Sequence, residues 1–305
     1  MQQPDSLRSR TAALFAAILL AVSSTSTLAQ PPGDTEPARP PSESAITFAT
    51  VDGSALQLDL YLPDGVSTPP LLIYVHGGAW RFGSREQVSS LGLLDEGFAI
   101  ASVSFRLSEV APLPAQVHDI KAAIRFLRAN ASDYGYDAAR IAITGVSSGG
   151  HLAALVGLTN GNAEHEGIIG DHAEASSDVQ AIVSWFGASN LTSILSQSTP
   201  RGLNVREPAL DLLLGGLVED KTELAHFGSP VFHVDALDPP LLLLHGDQDP
   251  QMPINQSHEL HGAAKDAGIV VHFEVVHGAG HGGAAFFDRD RSALVADFLR
   301  DAFAP

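Results

Sequence analysis

Ile141-Ala142-Ile143-Thr144-Gly145-Val146-Ser147-Ser148-Gly149-Gly150 is the stretch from which the rest of the chain can be read. Its first four residues are β-branched or small, and they predict a strand. From Ser148 to Leu158 small and apolar residues predominate, which predicts a buried helix. Between the two lies Gly145-Val146-Ser147-Ser148-Gly149, a G-x-S-x-G pattern in the strand–turn–helix context that a nucleophile elbow requires. In so sharp a turn the serine's neighbours must be small, and Gly145, Gly149 and Gly150 meet that need. The turn would lift the Ser147 hydroxyl above the carboxyl edge of a sheet and set it at a helix N-terminus, where the dipole favours negative charge. A plain strand–helix turn fits the pattern taken alone; the flanking elements favour a catalytic serine.

Outward from this stretch, apolar runs alternate with helical patterns. Ile46–Val51 and Leu56–Leu62 read as a hairpin across Asp52-Gly53. Leu71–Val75 (LLIYV) is a continuous apolar run, as expected of a strand covered on both faces. Further strands are predicted at Phe98–Val103, Val179–Trp185, Pro240–His245 and Val270–Val276. Helices are predicted near Ser84–Glu96, at Pro114–Asn130, at Pro253–Ala267 and at Arg291–Phe303. In the second of these, Val117, Ile120, Ala123, Ile124 and Leu127 recur at helical spacing. The alternation predicts an α/β domain, with a mostly parallel, doubly wound sheet of eight strands, helices on both faces and no large cap domain. Asn160–Ser177 and Ala188–His226 interrupt it with too little regular pattern to be domains. The second is a candidate partial lid.

A serine hydroxyl becomes a useful nucleophile only when a base takes its proton and an acid orients that base. In this topology the acid and then the histidine follow the serine in the chain. Of thirteen histidines, His281 stands in the Gly-rich loop Gly278-Ala279-Gly280-His281-Gly282-Gly283 after a predicted strand. His277 follows that strand too closely to reach the elbow. LLLLHGDQDP offers Asp247 and Asp249 as the acid. Asp249, two residues further along the loop, is better placed to turn back under a histidine, and Asp247 is expected to bond the turn's own amides. His76-Gly77-Gly78-Ala79-Trp80 follows LLIYV directly. Its glycines would let the amides of Gly78 and Ala79, with that of Ser148, close on a substrate oxyanion. His76 is expected to brace this loop. Trp80 and Phe82 would form an aromatic wall for substrate or else pack under the loop.

Composition narrows the function classes. The 305 residues are 45% hydrophobic and 17% charged, with a formal charge of −18, which disfavours nucleic acid as a partner. There is no cysteine, so disulfides, thiolate zinc sites and a cysteine nucleophile are excluded. The Asp-x-Asp pair lacks further ligands at calcium-loop spacing and there is no HExxH, so neither a metal nor another cofactor is expected. Arg8 and Arg10, the apolar run Ala12 to Val22 and Thr27-Leu28-Ala29 read as a cleavable signal peptide over residues 1–29, placing the mature chain outside the cytoplasm, secreted or periplasmic. That run is shorter than the ~20 residues of a membrane span. A Pro-rich, disordered linker over residues 30–44 and one catalytic domain over 45–305 follow.

The stretches HGGAW, FRLSEVAPLPAQVHDIKAAIRFLRANASDYGYDAARIAITGVSSGGHLAAL, SPVFHV, LLLLHGDQDP and GAGHG occur in this order. On these residues the chain resembles the α/β-hydrolase esterases and lipases with an HGG oxyanion loop, related to hormone-sensitive lipases. Within them it looks most like the bifunctional feruloyl and acetyl-xylan esterases. The resemblance spans roughly Ile46 to Phe303. It implies Ser147 as nucleophile, Asp249 as acid and His281 as base, acting on a small-molecule or carbohydrate ester. Ala79 stands where many relatives carry a third glycine, and the N-terminal cap of hormone-sensitive lipases has no counterpart here. An open site follows, suited to short acyl or aryl-acid (acetyl or feruloyl) esters. The alternatives are a secreted peptidase of prolyl-oligopeptidase type, a lipase for longer chains, an arylformamidase-like amide hydrolase, and a binding module on a hydrolase scaffold.

Overall fold

The opening hairpin sets the first edge of the sheet. In the computed structural model, which describes residues 39–304, β1 (Glu43–Val51) turns through Asp52 and Gly53 into β2 (Ser54–Tyr61). Both turn residues have positive φ, 49° and 78°, the conformation that a two-residue turn matched to strand twist demands. The expected signal peptide and the Pro-rich stretch up to residue 38 lie outside the described residues. From Glu43 the stretch expected to be linker is already strand.

Six strands follow: β3 (Pro70–Val75), β4 (Ala99–Val103), β5 (Asp137–Val146), β6 (Ala181–Trp185), β7 (Leu241–Gly246) and β8 (Val271–Val276). They complete one eight-stranded sheet in the order β1-β2-β4-β3-β5-β6-β7-β8. β2 is antiparallel to β1 and β4, and the remaining pairings are parallel, giving the α/β-hydrolase fold. The helices are α1 (Ala115–Ala129), α2 (Ala131–Tyr134), α3 (Ser148–Gly157), α4 (Ala163–Glu166), α5 (Ile194–Gln197), α6 (Pro200–Leu214), α7 (Thr222–Phe227), α8 (Asn255–Ala267) and α9 (Arg289–Ala302). No helix among the described residues is long and apolar enough to cross a membrane.

The period of two in each strand divides the core into two layers. Leu71, Ile73 and Val75 of β3 pack with Val117, Ile120 and Ile124 of α1 and with Leu152 and Leu155 of α3. Leu72 and Tyr74, between them, pack on the other face with Leu93, Leu94 and Val295, Ala296 and Leu299 of α9. Helices cover both faces, so a continuous apolar run such as LLIYV leaves no side chain in water.

Two segments differ from their sequence reading. The helix expected near Ser84–Glu96 is reduced to one 3₁₀ turn at Leu91–Leu94. Side chains take the bonds that a helix would have used: the Gln87 side chain accepts from the Ser84 amide at 3.3 Å, and Ser102 Oγ donates to the Arg85 carbonyl at 2.7 Å. Arg85 Nε donates to Asp59 at 3.0 Å, which holds the segment to β2. Conversely, Ala188–His226 contains the fifteen-residue helix α6. Pro200 sits in its first turn, where a missing N–H costs nothing, and Thr199 Oγ1 caps it by accepting from the Gly202 amide at 3.1 Å. Ala209, Leu210, Leu213 and Leu214 of α6 join the α1/α3 layer, so the segment is part of the domain body.

The Asn160–Ser177 insertion is pinned by Glu166. Its carboxylate accepts from Lys121 Nζ at 2.8 Å, from Arg125 Nη1 at 2.9 Å and from Ser177 Oγ at 2.8 Å. Lys121 is 0% exposed and Arg125 4%, so removing the carboxylate strands two buried cations. Glu166→Gln is expected to lose about 3 kcal/mol of stability in urea unfolding while kcat stays at the wild-type value. An unchanged midpoint would show that the network contributes nothing.

Candidate functional site

Strand order places the site. β3 and β5 are neighbours, but the chain leaves β3 for β4 on one side and β5 for β6 on the other. In open α/β sheets, ligands bind beyond the carboxyl ends of the strands at such a switch point. Those two ends carry His76-Gly77-Gly78 and Ser147.

Ser147 has φ 55° and ψ −119°, a conformation that L-residues avoid. Close packing holds it there. A Cβ on Gly149 would lie 2.1 Å from the Val75 carbonyl oxygen, and one on Gly145 would lie 2.3 Å from the Gly149 oxygen. The Ser147 amide donates to the Trp185 carbonyl at 2.9 Å, and its carbonyl accepts from the His151 amide at 3.0 Å as α3 begins.

The structure brings the three expected side chains together. His281 Nε2 lies 2.8 Å from Ser147 Oγ, and its Nδ1 lies 2.6 Å from Asp249 Oδ2. A carboxylate only accepts, so Nδ1 carries the proton and Nε2 presents its lone pair to the hydroxyl. The Asp249 carboxylate is fully buried, and its Oδ1 accepts from the amides of Gln251 and Met252 at 2.8 and 2.9 Å. Burial alone would raise its pKa. The His245 ring close beside it, the hydrogen bond and charge of His281 and the Met252 amide outweigh it and hold the carboxyl well below the usual carboxylate range. Burial lowers the His281 pKa, against the hydrogen bond and charge of Asp249, which raise it.

Asp247 bonds across to the loop after β8 rather than to its own turn: it accepts from the Gly278 amide and pairs with exposed His277, each at 2.8 Å. The two carboxylates of Asp-x-Asp thus serve different histidines.

The loop after β3 carries three consecutive residues with positive φ: Gly78 at 117°, Ala79 at 53° and Trp80 at 60°. A Cβ on Gly78 would lie 2.2 Å from the Phe82 carbonyl oxygen, so only glycine fits. Among the described residues, the amides of Gly78 and Ala79 donate to no backbone acceptor, and the Ser148 amide sits in the first turn of α3, where helical partners are lacking. His76 braces the loop: it is buried, its Nδ1–H donates to the Gly77 carbonyl at 2.8 Å, and its ring stacks on Phe105.

Trp80 and Phe82 part company. Trp80 is 0% exposed, so the expectation that it contacts substrate is corrected. Its indole N–H donates to His151 Nδ1 at 3.0 Å, and His151 Nε2–H donates to the Gly228 carbonyl at 2.6 Å. This chain ties the loop down to α3, and burial lowers the His151 pKa to about 4, so the ring stays a neutral acceptor. Phe82 is 55% exposed, with the Arg81 guanidinium 4.8 Å over its ring.

Three participants were missed by sequence reading. Phe186, directly after β6, has φ 41° and sets its ring edge-on to His281 at a centroid distance of 4.9 Å. Its place at a strand's carboxyl end was the available signal. His245, within LLLLHGD, donates from Nε2 to the Met252 carbonyl at 3.0 Å and lies 3.4 Å from Asp249 Oδ2. Arg206, on α6, is a buried cation that acts electrostatically on Asp249 and His281. Nothing in its sequence neighbourhood marked it.

Residues 58–263 match the BD-FAE family. Esterase LipQ of Mycobacterium tuberculosis is 32% identical over 75% of this chain and 55% of its own length. The chain spans about half the length of the curated relatives it matches. A truncated carbohydrate esterase from gut microbiota superposes with a TM-score of 0.79 at 33% identity, covering 89% of this chain and 99% of its own. The propionate-bound thermophilic esterase Est2 of Thermogutta terrifontis gives 0.68 at 25% identity, with 85% and 94% covered. With a family match over 58–263 and the shared fold, this chain belongs to the BD-FAE family of hormone-sensitive-lipase-like α/β hydrolases.

Proposed function

We propose that the chain is a serine carboxylesterase acting on short acyl or aryl-acid esters, carried on carbohydrate, through Ser147, His281 and Asp249. One observation carries the reading: the unbroken relay of 2.8 and 2.6 Å from Ser147 Oγ through His281 to Asp249. It stands beside a loop whose Gly78 and Ala79 amides have no backbone acceptor. The relatives named esterase support the reaction class, and the gut carbohydrate esterase supports the carbohydrate setting. The propionate bound to Est2 supports a short acyl group. An export signal at residues 1–29 would place the enzyme where polymeric substrates are met.

In the first step His281 Nε2 takes the Ser147 proton as Oγ attacks the ester carbonyl carbon. The carbonyl oxygen becomes an oxyanion held by the amides of Gly78, Ala79 and Ser148. The C–O bond to the alcohol then breaks, and His281⁺ returns the proton to the leaving oxygen. Water, deprotonated by His281, attacks the acyl-enzyme and frees the acid and Ser147. Asp249 holds the imidazole's tautomer throughout and stabilises its cation.

The relay makes Ser147 and His281 work as a unit, so either Ser147→Ala or His281→Ala is expected to lower kcat about 10⁶-fold with an unaltered thermal melt. Retention of a few per cent of turnover by either variant would exclude the mechanism.

Substrate size follows from what flanks the relay. α6 turns its apolar residues into the core, away from the role of a lid. Phe82 offers an exposed ring near the oxyanion loop. Initial rates on p-nitrophenyl acetate, butyrate, octanoate and palmitate and on methyl ferulate are expected to be highest for acetate, butyrate or ferulate. A maximum at octanoate or beyond would transfer the assignment to the lipases.

A further inference from the structure

Arg206 is the one side chain of the described residues whose whole guanidinium is sealed from solvent without a hydrogen-bond acceptor. It is 1% exposed, and Nε, Nη1 and Nη2 are each buried with no partner. A cation stripped of water and left unpaired is costly, so its position calls for an explanation.

The local geometry supplies one. The first turn of α6 is fastened to the loop that follows Asp249: Thr199 Oγ1 donates to the Pro250 carbonyl at 2.7 Å. Gly202 comes so close that a Cβ there would lie 3.0 Å from the Gln251 carbonyl oxygen. Arg206 is four residues on, hence on the same helix face, and helical side chains lean back toward the N-terminus. Its guanidinium is thereby carried toward the Asp249 loop. Asp249 is the carboxylate that acts on it, and burial lowers its pKa only to about 10, so it is positive throughout the range in which an esterase works.

We propose that Arg206 is a positioning residue for the acyl-transfer centre: a fixed buried charge that opposes proton uptake by His281 between turnovers and so extends activity toward acidic pH. The inference rests on the reading of Ser147, His281 and Asp249 given above. His281 is faced by Asp249 and His245 from the end of β7, by Arg206 from α6, by Ser147 from the elbow and by the apolar ring of Phe186. Asp249 favours the imidazolium, whereas burial, Arg206 and His245 oppose it. The imidazole must be neutral to take the Ser147 proton, so activity falls as pH drops through the His281 pKa. Deleting the Arg206 charge raises that pKa and shortens the acidic range.

The test is the pH profile of kcat/KM on p-nitrophenyl acetate for wild type, Arg206→Met and Arg206→Lys. The acid limb of Arg206→Met is expected to move up by about one pH unit, with the alkaline plateau within about threefold of wild type. Arg206→Lys, which restores the charge, is expected to return the limb to its wild-type place. Coincident limbs for Met and wild type would overturn the proposal. So would equal shifts for Met and Lys, which would reduce Arg206 to packing. If Arg206→Met fails to fold, Arg206→Gln, which keeps a polar head without the charge, takes its place in the same pH profile: an acid limb above that of wild type supports the proposal, and a coincident limb overturns it. A wild-type protein that cleaves no ester would instead end the esterase reading, and imidazole NMR comparing the His281 titration of wild type with that of Arg206→Gln would still settle the role of Arg206.

Discussion

The site depends on how closely α3 begins against the end of β3. The Cβ that Gly149 lacks would lie 2.1 Å from the Val75 carbonyl oxygen and 2.5 Å from that of His76. No side chain fits there, and with none the helix starts directly over the strand end. The chain can then leave β5 only through a residue with positive φ, and Ser147 is that residue. The same contact brings the loop after β3 alongside: a Cβ on Gly77 would meet the Val146 carbonyl oxygen at 3.0 Å. One packing constraint thus sets the exposure of the proposed nucleophile and its distance from the candidate oxyanion amides.

The proposed base and acid arrive by a second close approach, between the loops after β7 and β8. A Cβ on Gly246 would lie 2.3 Å from the Ala279 carbonyl oxygen, and the Gln248 amide donates to that oxygen at 3.0 Å. Asp249 and His281 are carried on these two interlocked loops, so less conformational entropy is lost in bringing them together. A buried carboxylate with an imidazole and two amides on it is satisfied and stays ionised, which is what an orienting acid needs.

The parts legible in the sequence were those whose chemistry fits within a short window. The elbow declared itself through glycines around a serine between a strand and a helix, and His281 through a glycine-rich loop after a strand. Loop position set Asp249 apart from Asp247, and in the structure Asp249 meets His281 whereas Asp247 meets the Gly278 amide of the neighbouring loop. The parts not legible depend on what packs across the chain. The residues Ser84–Glu96 have the composition of a helix, but Asp59 and Ser102, distant in sequence, bind Arg85 in another conformation. α6 was hidden by Pro200, Gly202 and Pro208, which read as breakers; the first falls in the turn that tolerates it, and the second is needed for contact with Gln251. For Trp80 a substrate contact and packing under the loop stand equally open in the sequence, because its partner, His151, is identifiable only with α3 beneath the loop.

Backbone strain shows where the fold concentrates its precision. Seven non-glycine residues among those described have positive φ, and four of them, Ala79, Trp80, Ser147 and Phe186, are at the site. Such conformations persist only where surroundings over-determine them, and each of three strand ends supplies its own restraint. The loop after β3 is held by Trp80 through His151 to Gly228. The turn after β5 is held by Gly149 against Val75. Phe186, after β6, is held by its amide on the Leu244 carbonyl at 2.7 Å and by its ring on Phe286. Because Gly228 comes just after the long 188–226 insertion and Arg206 lies within it, this part of the chain buttresses the candidate oxyanion loop from one side and sets charge near Asp249 from the other. A segment that looked like a lid is, on this geometry, part of what keeps the relay in line.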